Sequence, residues 1–156
     1  MVHELERNKW ALKNFRKHLE NFEWAINENG SIQLLDEASG HRRIELLFDG
    51  EMSSSSLLAD VYADTLSNNL LEIAVNDESI FETVLDAYDA LKELQHLHDN
   101  ILVRASEPFN CADGTRPDFI ESFIEYAKAE LDLIEKDLAK LYRQCTGKDF
   151  ENFRLR

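Results

Sequence analysis

Glu93 and His96 stand three residues apart in the run Glu93-Leu94-Gln95-His96. That spacing sets a carboxylate and an imidazole on one face of a helix. Asp89, Asp99 and Asn100 fall on nearly the same side. Carboxylate-bridged metal bundles use such a Glu-x-x-His pair twice, with a further Glu from each of two other helices. Here the pair occurs once. Glu93, His96 and Asp99 are the candidate metal ligands, and a metal-binding or hydrolytic bundle is the function they would serve. Their phase argues against it, because they lean away from the apolar seam of their own helix. An ordinary solvated acidic face explains them as well.

Other chemistry-bearing residues lack partners. His98 occupies a seam position, where a half-buried neutral imidazole is expected and a pH-sensitive register pin is the functional alternative. Cys145 falls on the seam of the last helix and reads as core packing. Cys111 sits between Glu107 and Asp113, acids that raise a thiol pKa and make a poor nucleophile. The chain has no glycine-rich phosphate loop, no Gly-x-Ser-x-Gly and no Cys-x-x-Cys. No catalytic residue and no cofactor is assigned.

One face of the first helix does stand out. Trp10 and Trp24 lie opposite its seam with Lys17 midway between them, and Lys13, Asn14 and Asn21 share that face. At 1.5 Å per residue the two indoles are ~21 Å apart. Tryptophan is costly to expose and enriched at binding hot spots. Residues 32–48 or the Phe150–Leu155 tail could cover the rings. So could a second chain or a membrane surface. Trp10, Lys13, Lys17 and Trp24 are the candidate interface.

Long helices must position these residues. Five Gly and two Pro in 156 residues leave few chain breakers. Leu5, Leu12, Phe15, Leu19, Phe22 and Ile26 alternate by threes and fours after a gap at Asn8, predicting a helix from about Leu5 to Asn27. Asn29-Gly30 ends it, with Gly30 expected to take the left-handed conformation. Residues 31–50 fit an irregular or hairpin-like connection. The Ser53–Ser56 run predicts a helix start, followed by a short amphipathic helix over Leu57–Leu66 that breaks near Asn68-Asn69, with Leu70–Val75 as its continuation after a kink.

A third helix opens on Ser79 and Glu82, read as a capping box. Its seam is Ile80, Val84, Ala87, Leu91, Leu94, His98 and Ile101. Ala105–Pro117 reads as a loop. Asp118 and Glu121 are read as a second capping box. The fourth seam then runs through Ile120, Ile124, Ala127, Leu131, Ile134, Leu138, Leu141 and Cys145 to Gly147. Lys128–Asp132 and Asp132–Lys136 are spaced for i,i+4 pairs on its outer face. Phe150, Phe153 and Leu155 are expected to fold back onto the bundle. The expected architecture is all-α: an antiparallel bundle of three long helices and one or two short ones, a small hairpin near 31–50, and one domain over 1–156.

The run Leu57-Leu58-Ala59-Asp60-Val61-Tyr62, the break at Asn69 and the run Tyr88-Asp89-Ala90-Leu91-Lys92-Glu93-Leu94 resemble a pattern in uncharacterised prokaryotic helical proteins. The resemblance spans residues 44–100 and implies neither an activity nor a site. Many of those proteins place a membrane-spanning helix before the first long helix, and this sequence shows none.

Charge narrows the partners. The chain carries 17 Lys and Arg against 31 Asp and Glu, a formal net charge of −14. Residues 1–30 hold five bases and five acids, so the whole excess lies beyond them. Ile44 to Leu91 holds eleven acids and no Lys, Arg or His. Nucleic acid is not expected as a partner, since binding it needs positive charge. Without an apolar run of ~18 residues, no membrane anchor is expected either. These features describe a soluble, cytoplasmic, non-enzymatic interaction protein whose partner is another protein chain, most simply its own copy.

Overall fold

The computed structural model describes residues 1–76, 78–107 and 118–151. Four helices and three strands run in the order α1 (Val2–Asn27), β1 (Ser31–Asp36), β2 (Arg42–Phe48), β3 (Glu51–Leu57), α2 (Asp64–Asn76), α3 (Glu78–Ser106) and α4 (Phe119–Thr146). The strands form one antiparallel sheet in the order β1-β2-β3. The protein is therefore α+β, which corrects the all-α expectation.

The long helices keep to their seams. Leu5, Leu12, Phe15, Leu19 and Phe22 of α1 are fully buried, as are Val84, Leu91, Leu94 and Ile101 of α3 and Leu131, Leu138 and Leu141 of α4. Cross-helix contacts fix the directions. Tyr142 donates to Glu6, Arg16 pairs with Asp132 and Lys128 with Glu23, so α1 and α4 run antiparallel. Lys140 pairs with Asp86 and Tyr126 donates to Glu93, so α3 and α4 do too. Lys128 and Asp132 thus spend their charge between helices, not on the expected i,i+4 pairs. The apolar side chains of helices and sheet make one core cluster.

The sheet arises from two turns. Asp49 and Gly50 carry φ of 49° and 81°, the paired positive values that a two-residue hairpin turn requires. Asp-Gly supplies them at little cost. Gly40, at φ 83°, closes the β1–β2 loop, with its N–H donating to the Glu37 carbonyl. Ile32, Ile44 and Leu46 turn into the core from β1 and β2. Ser54 and Ser56 stand opposite Leu46 and Ile44 in the register.

Residues 53–57 are therefore strand where a helix start is expected. The predicted Leu57–Leu66 helix forms only from Asp64, and residues 58–63 run to it as neither helix nor strand. α2 begins at Asp64 and passes through Asn68-Asn69 unbroken. Asn69 donates back to the Thr65 carbonyl at 2.6 Å, so its amide is used within the helix.

The helix ends also differ in detail. Asn29, at φ 55°, takes the left-handed conformation after α1. Gly30 serves a different purpose: a Cβ there would stand 2.8 Å from the Leu47 carbonyl oxygen. Glycine lets α1 and β2 approach. Asp118 has helical φ −55° and ψ −27° and makes no side-chain cap bond, so its capping box is not formed. α3 already includes Ser79, which places that residue inside the first turn. Gly147 ends α4 at φ 69°, as expected. Phe150 packs on Tyr142 with ring centroids 5.3 Å apart. Cys111, Phe153 and Leu155 lie outside the described residues, as does most of the predicted 105–117 loop.

Candidate interaction surface

α1 presents three kinds of face, and each has a different partner. The apolar face enters the core. A second face, polar but buried, grips the chain between β3 and α2. Glu4, Asn8 and His18 belong to it and are buried. The Asn14 amide donates to the Leu57 carbonyl at 2.9 Å and accepts from the Ala59 N–H at 2.9 Å. Asn8 donates to the Tyr62 carbonyl and accepts from the Tyr62 N–H. Glu4 accepts from the N–H groups of Thr65 and Leu66, capping α2 from another helix.

His18 completes this clasp. Its Nε2 lies 3.3 Å from the Leu57 carbonyl oxygen. A carbonyl can only accept, so Nε2 carries the proton and Nδ1 is the bare nitrogen. Nδ1 is buried and has no hydrogen-bond partner among the described residues. Burial pushes the imidazole pKa down to about 4, with the Leu57 bond resisting and the Lys17 charge adding to the fall. None of these four residues is among the site residues expected from sequence. The gap that Asn8 leaves in the apolar seam was their visible sign.

The third face is a stripe open to solvent: His3, Arg7, Trp10, Lys13, Lys17, Glu20, Trp24 and Asn27 are all exposed. The spacing alternates almost entirely by threes and fours, so it forms one ridge. Trp10 keeps 40% of its surface exposed. Trp24 keeps 36%, and its ring meets Phe48 edge-on at 5.9 Å. The sheet thus half-covers Trp24 and leaves Trp10 open.

Beside Trp10, α1 and the β2–β3 strands enclose an open groove of about 740 Å³. Lys13, Arg16, Lys17 and Arg43 line it, against the single acid Glu20, and Leu57 with Trp10 forms its apolar part. The cations differ in freedom. Arg16 is bound by Asp132 at 2.8 Å and Glu135 at 2.5 Å, and Arg43 by Glu37 at 2.7 Å. Burial raises the Glu135 carboxyl, but the hydrogen bonds and charges of Lys9 and Arg16 outweigh it and hold it below the usual range. Among the described residues, no ion pair uses Lys13 or Lys17. Asn14 leaves the outer face for its bonds to Leu57 and Ala59.

The α3 candidates are dispersed. Glu93 accepts the Tyr126 hydroxyl at 2.5 Å. His96 is engaged by Asn100, whose amide lies 3.0 Å from Nε2. Asp99 meets His98 Nδ1 at 2.9 Å and Gln95 at 3.0 Å. Burial raises the Asp99 carboxyl, but these two hydrogen bonds outweigh it and set it lower than usual. No group of three His, Cys, Asp or Glu is placed to hold a metal among the described residues. His98 is half-buried against Phe15, with ring centroids 5.9 Å apart. Burial pushes the Cys145 thiol pKa up.

Among the described residues, no helix is long and apolar enough to cross a membrane. Comparison with family models, with curated proteins and with solved structures finds no match.

Proposed function

We propose that this protein is a non-enzymatic interaction module that self-associates through the exposed stripe of α1. The supporting observation is Trp10, an indole 40% exposed at a groove where Lys13 and Lys17 have no ion-pair partner among the described residues. Water solvates an exposed indole poorly, and a partner that covers it gains both apolar area and a ring hydrogen bond. Two free ammonium groups on a chain of net charge −14 select an acidic partner surface. The chain itself offers one, since its excess acids all lie beyond residue 30. A cytoplasmic setting suits Cys145, which stands as a free thiol among the described residues.

Light scattering on a sizing column tests this reading. A mass above that of the 18.1 kDa monomer is expected, rising with concentration and falling when Trp10→Ala removes the indole. A monomer mass at every concentration overturns it.

A further inference from the structure

We infer that the surface which occupies the α1 groove is the outer face of α2 in a second copy of the chain. This inference rests on the self-association just proposed and names its second half. α2 carries two apolar stripes. Leu66, Leu70 and Ile73 pack inward against the core. Leu71 and Val75 point the other way and are 81% and 85% exposed, the highest values among the large apolar residues of the described chain. They are one helical turn apart, so they form a continuous patch.

The patch is acidic at its rim. Asp64, Glu72 and Glu78 are exposed around it, and no base occurs anywhere from Ile44 to Leu91. Two α2 faces brought together would set acid against acid, which disfavours a like-with-like contact. The α1 stripe has the complementary chemistry: an exposed indole for Leu71 and Val75, and two free ammonium groups for the acids. The lengths agree as well. Trp10 to Lys17 and Leu71 to Asp64 are both seven residues, ~10.5 Å along a helix. An antiparallel pairing therefore sets Trp10 against Leu71 and Lys17 against Asp64.

Charge reversal tests this pairing with the intact chain. Lys17 and Asp64 are both exposed, so Lys17→Glu and Asp64→Lys should fold, as circular dichroism would verify. Each variant alone should associate about tenfold or more weakly than the wild type, because like charges then face each other. An equimolar mixture should regain the wild-type mass. In that mixture every contact can again join opposite charges. Leu71→Ser gives a separate reading that leaves the α2 N-terminus untouched, and it should weaken association similarly. If Lys17→Glu weakens association but Asp64→Lys and Leu71→Ser do not, the α1 groove remains an interface and α2 is not its occupant. Failure of the mixture to recover also overturns the pairing. A wild type that stays monomeric overturns the self-association reading itself.

Discussion

Asn8 and Tyr62 exchange two hydrogen bonds: the Asn8 amide donates to the Tyr62 carbonyl and accepts from the Tyr62 N–H. A single side chain thus does for one residue what a neighbouring strand would do. Asn14 repeats the arrangement at Leu57 and Ala59. Backbone groups buried without partners are costly, and residues 59–62 lie between the last sheet bond at Leu58 and the first α2 bond at Ala63. The clasp holds this segment against α1, and with it the Leu57 side of the groove.

Asn8→Ala should therefore destabilise more than an average surface substitution. It strips partners from one N–H and one carbonyl next to a fully buried position, at about 1–3 kcal/mol for each group left unsatisfied. Urea denaturation checks this. A loss under about 0.5 kcal/mol would mean that water replaces the amide without penalty.

His18 should make stability depend on pH in a defined window. Unfolded, it takes up a proton near pH 6.5; folded, only near about 4. Between those values the unfolded chain binds more protons, so stability is full above pH 6.5 and falls as pH drops toward 4. The shift sets this contribution at roughly 2–3 kcal/mol by pH 4.5. His18→Gln removes it while keeping a side-chain amide near the Leu57 carbonyl. Between pH 7 and 4.5 the wild type should lose roughly 2 kcal/mol more than this variant. Equal losses would show that His18 is protonated in the fold.

Core and surface of the helices should separate cleanly by truncation. Leu94 and Leu131 have no exposed surface, so either Leu→Ala change should cost roughly 2–5 kcal/mol. Glu93 makes an exposed contact with Tyr126. Glu93→Ala should cost under about 1 kcal/mol. Thermal or urea unfolding of the three variants gives the comparison, and a larger loss at Glu93 than at Leu94 would reverse the assignment.

The seams were legible because apolar residues at helical spacing have one economical burial, and Leu91, Leu131 and Phe15 lie where their spacing puts them. The sheet was half legible. Asp49-Gly50 is a strong turn pair, yet β3 itself reads Glu51, Met52 and four serines, with no apolar alternation to mark a strand. This strand is held by its register with β2 and by the α1 clasp, in which Asn14 lies 43 positions from Leu57. The same cause hid the clasp itself. Asn8 shows only as a gap until Tyr62 is seen beside it, 54 positions further along. The exposed stripe was legible at Trp10, Lys13 and Lys17 because a bundle leaves that phase of α1 outside. Trp24 was legible in part: residues 32–48 were one of the covers its position left open, and Phe48 of β2 is the residue that half-covers it.

Trp10 fluorescence tests self-association through α1 most directly, because it reports on the ring assigned to the interface. Trp24→Phe leaves Trp10 as the sole tryptophan, and a phenyl ring can keep an aromatic contact with Phe48. In dilute solution its emission should be that of a solvent-exposed indole. With rising protein concentration it should shift to the blue as a second copy covers the ring. Salt should oppose the shift by screening the Lys13 and Lys17 charges. Emission that stays unchanged from dilute to concentrated protein would contradict self-association through this face.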